Sequence, residues 1–248
     1  MNAVTRIVTF LSRYARNSSI YRRFRQYTMI SKRTYILNLM VAERFKKVPG
    51  LIVECGVWRG GMSAGIASIF GPDRHYYLFD SFEGLPPAKP VDGEAALEWQ
   101  LNKEGAYYFD NCTAEEKWAT DAMKLSGATR FTTVKGWFNE TLPKFKPEDR
   151  IAILRLDGDW YDSIMDCLVH LYPHIIPGGA IIVDDYYTWV GCSRAIHDYL
   201  SRNQLEDTVN QYRNGVCYIV KKKELAAPAS PSDSAVDSAA PLAPASQG

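Results

Sequence analysis

Acidic residues recur in this chain at one kind of place, directly after a short apolar run. Leu51-Ile52-Val53 runs into Glu54, Tyr76–Phe79 into Asp80, Ile151–Leu156 into Asp157, and Ala180–Val183 into Asp184-Asp185. Short apolar runs separated by helical stretches read as parallel strands buried on both faces. In open α/β sheets, ligands bind beyond the carboxyl ends of the strands. A fifth run, Phe131–Val134, lacks a closing acid, so four of five strands bring carboxylates to one edge. Carboxylates gathered there repel one another and need a ligand or a cation to offset them. Asp157, Asp184 and Asp185 form an all-oxygen set suited to Mg²⁺ or a similar hard cation with positions left for substrate oxygens. Asp159, two residues beyond Asp157, then lies beside the substrate.

The first of these strands leads into Glu54-Cys55-Gly56-Val57-Trp58-Arg59-Gly60-Gly61. Glycine lets the backbone approach a ligand, and the next helix offers unpaired N–H groups. Gly56 and Gly60 are four apart, so this is not the dinucleotide pattern; it suits a ligand whose carboxylate meets the helix N-terminus. Asp80 can accept the hydroxyls of a ribose, or with Ser81 it can cap the following turn. His170 and His174 are separated by Pro173 and lack a third ligand, and His75 and His197 show no partner. No serine nucleophile elbow, P-loop or HExxH is present. The five cysteines have no CxxC pair, which points to reduced thiols, most of them in the core.

The elements that must hold these residues follow from periodicity. Ile36, Leu37, Met40, Val41 and Phe45 mark a helix over about 31–47, stopped by Pro49-Gly50. An earlier helix has Ile7, Phe10, Leu11 and Tyr14 on one face and arginines opposite. After residue 191 come a helix (about 192–203), a strand (about 207–213), Asn214-Gly215 and a strand (Val216–Val220). Asn-Gly between strands predicts a tight hairpin with both residues at positive φ. The expected fold is therefore α/β, a doubly wound, mostly parallel sheet with a C-terminal antiparallel hairpin. Of the 24 residues 225–248, seventeen are Ala, Pro or Ser, a composition expected to stay disordered.

The 248-residue chain carries a net charge of only +1, but residues 1–50 hold eleven Lys/Arg and one acid, Glu43. The remainder holds 18 basic and 27 acidic residues. A basic arm thus joins an acidic body, and three segments are expected: an arm and lid (1–50), a ligand-binding domain (51–224) and a tail (225–248). The hydrophobic fraction of 46% excludes a largely disordered chain. No apolar run reaches the ~18 residues of a membrane span. No secretory signal is read at the N-terminus, so a cytoplasmic protein is expected.

Five segments, ECGVWRGG (54–61), LFDSFEGLP (78–86), KGWFNETLP (135–143), LRLDGDWYDS (154–163) and PGGAIIVDDY (177–186), occur in an order that resembles the macrocin O-methyltransferase (TylF) family. The resemblance covers about residues 30–222. It implies the Rossmann-like class I methyltransferase fold with seven strands, S-adenosylmethionine as methyl donor, and Mg²⁺ on Asp157, Asp184 and Asp185. It further implies Asp159 as general base, and Glu54, Gly56, Gly60, Ser63, Asp80 and Asp157 as the cofactor-binding set, with Ser63 at the methionine carboxylate and Asp80 at the ribose. The acceptor it implies is a sugar hydroxyl on a glycosylated metabolite, with helix 31–47 as a lid. Residues 1–28, 87–112 and the tail match none of these motifs, and 87–112 is expected to shape acceptor choice.

Two other readings stand beside it. A non-methylating enzyme similar to the cephalosporin hydroxylase-like group could use the same sheet and acids. The basic arm could instead bind RNA or an anionic membrane surface, although an acid-lined crevice repels a phosphate backbone. A homodimer and no nucleic-acid partner are the expectation.

Overall fold

A computed structural model describes residues 3–224 of the chain; the Ala/Pro/Ser tail lies outside the described residues. Seven strands form one sheet: β1 (Leu51–Cys55), β2 (His75–Asp80), β3 (Arg130–Lys135), β4 (Ile151–Leu156), β5 (Ile175–Val183), β6 (Val209–Tyr212) and β7 (Val216–Val220). Their order is β3-β2-β1-β4-β5-β7-β6. The first five are parallel and β7 pairs antiparallel with both β5 and β6. The strand order reverses between β1 and β4, which is where a crevice opens at the carboxyl edge of such a sheet.

Two-residue alternation along the strands divides the core into two layers. Ile52, Leu78, Ile153, Ala180 and Ile182 face a layer containing α1 (Ala3–Phe24), α2 (Lys32–Glu43), α3 (Gly61–Phe70) and α5 (Glu116–Ser126). Val53, Phe79, Leu154, Ile181 and Val183 face α7 (Tyr161–Leu171) and α8 (Val190–Arg202). Two short helices, α4 (Glu94–Leu101) and α6 (Phe138–Thr141), stand near the carboxyl edge.

Three expectations shift. Helix 31–47 is shorter, and it is a core helix: Tyr35 through Ala42 are all buried. Its neighbour α1 presents only part of its apolar stripe inward. Phe10 and Tyr14 pack on the core, whereas Ile7 and Leu11 are 59% and 58% exposed. In the hairpin, positive φ falls on Arg213 (47°) and Asn214 (53°), one residue earlier than the Asn-Gly pair predicts. The Gly215 N–H closes the turn on the Tyr212 carbonyl at 3.2 Å.

The arm's single acid, Glu43, ties α1 to α2. Its carboxylate accepts from Arg16 at 2.7 Å and lies 3.7 Å from Arg13. Burial raises its pKa, but the hydrogen bond and charge of Arg16, with Arg13 and Lys46, outweigh it and hold the pKa below the ordinary value. A carboxyl depressed in the fold stabilises above its unfolded pKa and loses that contribution as pH falls through the folded value. Both arginines are nearly half exposed, so solvent screening leaves the pair about 0.5–1 kcal/mol. Glu43→Gln is therefore expected to melt slightly below wild type at pH 7, with the gap closing well below pH 4.5; thermal melts at the two pH values check it.

Candidate active site

The turn after β1 is built by Asp80. Its Oδ2 accepts from the Val57 and Trp58 N–H groups at 2.6 and 2.8 Å, and its Oδ1 accepts from Phe82 N–H at 2.6 Å. Burial raises this carboxyl's pKa against the pull of these three bonds. Gly56 has φ +84°, and the Gly56 N–H donates to the Phe79 carbonyl at 2.9 Å. Gly60 (φ +80°) caps α3. A Cβ there would stand 2.7 Å from the Ala119 Cα, so its role is to let α5 approach. Ser63, buried in α3, donates to Glu54.

Strand register brings three acids onto one arginine. Glu54 of β1 pairs with Arg155 of β4, which pairs with Ile182 of β5. The Arg155 side chain has no solvent exposure. Its Nη1 donates to Glu54 Oε1 at 2.6 Å and Asp157 Oδ2 at 2.7 Å, and its Nη2 donates to Asp184 Oδ1 at 2.5 Å. Burial opposes its charge, but Asp157, Asp184 and Glu54 outweigh that and hold the guanidinium ionised. Burial pushes Glu54 up to about 7 and, with the repulsion of Asp157, Asp184 up to about 6. Asn38 of α2 also donates to Asp184 Oδ1, at 3.3 Å.

Asp157, Asp184 and Asp185 each offer one oxygen within 4.8 Å of the others, the single such group among the described residues. Burial, then repulsion from Asp159 and Asp157, raises the Asp185 pKa well above the ordinary value. Asp185 Oδ2 is buried without a hydrogen-bond partner. Three hard oxygens, one of them an orphan acceptor, fit a divalent cation of the Mg²⁺ kind. None of the four histidines joins this group; His75 contacts Glu148 and Thr132, and His197 contacts Tyr186.

These acids line a cavity of about 770 Å³, within the range of small-molecule sites. Asp159 enters it from a left-handed backbone (φ +56°). Its Oδ1 accepts from Trp189 Nε1 at 2.8 Å. Burial, then the charge of Asp157, raises its pKa well above the carboxylate range. Over it stands an aromatic wall: Trp160 and Trp189 have centroids 5.2 Å apart, and each lies 6.0 Å from Trp99 of α4. Trp160 is buried and Tyr161 bonds Asp198, so of this pair only Trp160 reaches the cavity.

The segment between β2 and α5 closes the remaining side. Phe109, Asp110, Asn111 and Cys112 all have positive φ, a left-handed turn that costs backbone energy for L-residues. Asn111 offsets it through main-chain and side-chain bonds with Leu85 and one with Gln100. Cys112 lines the cavity, but burial and the nearby Asp159 and Asp157 push its thiol pKa up, away from thiolate chemistry. The other four cysteines are buried and unpaired.

The structure thus gathers Glu54, Gly56, Asp80, Asp157, Asp159, Asp184 and Asp185 on one cavity wall, whereas Gly60 and Ser63 stand behind it. Tyr27–Ile30, between α1 and α2, reach the cavity where a lid over 31–47 was expected. Arg155, Trp189 and Asn38 went unread as site residues. For Arg155 a signal existed: a charged residue inside an otherwise apolar strand is almost never buried unpaired.

A seven-stranded sheet of this order, with a Gly turn after β1 and acids at the ends of β1, β2, β4 and β5, is the class I methyltransferase fold. The solved O-methyltransferase NovP shares it with a TM-score of 0.66 at 28% identity, over 79% of this chain and 83% of that one. The calicheamicin methyltransferase CalS11, at 19% identity and TM-score 0.58, shares the fold over 83% of this chain and 91% of that one. Residues 11–221 match the model of the macrocin-O-methyltransferase (TylF) family, and the chain belongs to it. It is 36% identical to the mycinamicin III 3''-O-methyltransferase of Micromonospora griseorubida over 68% of each chain. It is also 36% identical to the demethyldecarbamoylnovobiocin O-methyltransferase of Streptomyces niveus, over 64% of this chain and 62% of that one. The protein is an S-adenosylmethionine-dependent O-methyltransferase, which displaces the non-methylating alternative. No described helix is long and apolar enough to cross a membrane.

Proposed function

We propose that this enzyme methylates a hydroxyl of a sugar carried by a small glycosylated metabolite, with Mg²⁺ on Asp157, Asp184 and Asp185 and with Asp159 as general base. The observation that carries the reading is Asp159 itself, held by Trp189 on the cavity wall beside the three-acid group. When bound, the cation supplies Lewis-acid stabilisation of the alkoxide that develops on the acceptor oxygen.

The protein's own groups do the rest. A sugar hydroxyl is a poor nucleophile at neutral pH, and Asp159 stands on the cavity wall to take its proton as attack proceeds. The Trp189 bond fixes its rotamer, so the proton leaves along a defined direction. Trp99 and Trp189, backed by the buried Trp160, offer apolar faces against which a sugar ring can lie. Glu54 and the turn at Gly56 serve the methyl donor. Asp80 has spent about three of its four acceptor positions on the backbone, so it has room for one ribose hydroxyl rather than two.

Charge favours an acceptor without phosphates. Ten acids line the cavity against one base, Lys89, which is itself paired with Asp162. Among the described residues that line the cavity, none supplies an unpaired cation to offset the repulsion that a phosphate-bearing sugar would meet. The test is incubation with labelled S-adenosylmethionine, Mg²⁺ and a panel of glycosylated metabolites, read by mass. Asp159→Asn is expected to lower kcat about 10²-fold while S-adenosylhomocysteine binding stays intact, and EDTA should abolish turnover until Mg²⁺ is restored. A wild-type rate in the variant would remove the base assignment; EDTA-insensitive turnover would remove the cation.

A further inference from the structure

We infer that Arg155 is a resident counter-ion of the metal site, which occupies one oxygen each of Asp157 and Asp184 and so keeps divalent-cation binding weak and reversible. The inference rests on the cation reading proposed above. Its basis is the geometry of the buried guanidinium, whose two terminal nitrogens reach acids on three adjacent strands at 2.5–2.7 Å. Nothing else of positive charge is paired with Glu54, Asp157 or Asp184 among the described residues.

Two consequences follow. Without a metal, Arg155 lets the fold keep several buried carboxylates that would otherwise be uncompensated. With a metal, a fixed positive charge stands next to the incoming dication and shares its ligands, so the two compete electrostatically for the same acids. The Arg155 Nε, buried and without a partner, shows that the side chain is placed for its terminal nitrogens and leaves a donor unsatisfied. The link to Glu54 also ties the methyl-donor wall to the metal wall, so a change at one side is felt at the other.

Removing a ligand-positioning group ordinarily weakens metal binding; removing a competing charge strengthens it. That difference in sign is the test. Mn²⁺ binding to the full chain is measured by calorimetry or electron paramagnetic resonance for wild type, Arg155→Met and Arg155→Lys, with melting curves in the presence and absence of Mn²⁺. Arg155→Met is expected to bind Mn²⁺ about tenfold more tightly or better, to melt lower than wild type without metal, and to gain more from its addition. Arg155→Lys keeps an amine cation there without the guanidinium fork and is expected to bind Mn²⁺ less tightly than Arg155→Met. Recovery of Arg155→Met only in the presence of Mn²⁺ also supports the inference. Unchanged or weaker binding in Arg155→Met overturns it and leaves the cation reading standing. Absence of Mn²⁺ binding in wild type and in Arg155→Met alike overturns both. Should Arg155→Met fold under neither condition, Arg155→Gln carries the same expectation, and failure of both neutral variants with Mn²⁺ present overturns the inference, because the ion would then not replace the guanidinium.

Discussion

Asp185→Asn is expected to lower kcat by about three orders of magnitude while the fold stands. Asp157 and Asp184 each engage Arg155, so replacing either disturbs an ion-pair network as well as a ligand set. Asp185 has no such contact, and its Oδ2 is a buried acceptor with no partner. The asparagine keeps the shape and removes the charge, which isolates the metal role proposed for this residue. A thousandfold loss corresponds to about 4 kcal/mol of transition-state stabilisation, the scale expected of a Lewis acid. Stability should move the other way. Burial, with repulsion from Asp159 and Asp157, raises the Asp185 pKa, so its ionisation costs the folded state. A raised carboxyl makes the fold less stable as pH climbs above the unfolded value of about 3.8. Metal-free Asp185→Asn should therefore melt at or above wild type, with a wider margin at pH 8 than at pH 5. Steady-state kinetics with saturating Mg²⁺ and melts in EDTA check both halves; an undiminished kcat would take Asp185 out of the metal set.

The carboxyl edge was legible in the sequence because two local rules agree there: apolar runs with strand length, and an acid at the end of four of the five. The structure places Glu54, Asp80, Asp157, Asp184 and Asp185 together for that reason. Non-local pairing was harder to read. Arg155 takes its meaning from Glu54, 101 residues earlier, and Asp184, 29 residues later. Helix α2 was identified from its period, but residues Tyr35–Ala42 are nearly continuously apolar, the pattern of a buried helix rather than a lid. The segment before α5 has no period at all. Its left-handed turn at Phe109–Cys112 is held by bonds among Asn111, Leu85 and Gln100; Asp110 and Asn111 tolerate positive φ, but nothing local puts Phe109 and Cys112 there as well.

Among the glycines of the described residues, Gly56 should be the most damaging one to replace with alanine. The residue has φ +84°, which alone costs an L-residue about 1–2 kcal/mol. Its Cβ would also fall 1.8 Å from the Asp157 carbonyl oxygen and 2.5 Å from its carbonyl carbon, backbone atoms that cannot rotate away. The two strand ends are further bound by the Asp157 N–H to the Cys55 carbonyl at 2.8 Å, so relief requires β1 and β4 to part. Parting them displaces Asp157 from Arg155 and from the three-acid group, so binding and stability fall together. Gly71 supplies the control: its φ is +98°, and a Cβ there meets nothing within 4 Å. Gly71→Ala therefore reports the conformational cost alone, about 1–3 kcal/mol for a backbone at φ 98°, ψ 175°, or a few degrees of melting temperature in a domain of this size. Gly56→Ala is expected to lose at least about 2 kcal/mol more and to weaken S-adenosylhomocysteine binding more than tenfold, whereas Gly71→Ala binds normally. Equal melting temperatures and equal affinities for the two variants would mean that the β1 turn yields without moving Asp157, and that the cofactor wall and the metal wall are not mechanically joined at Gly56.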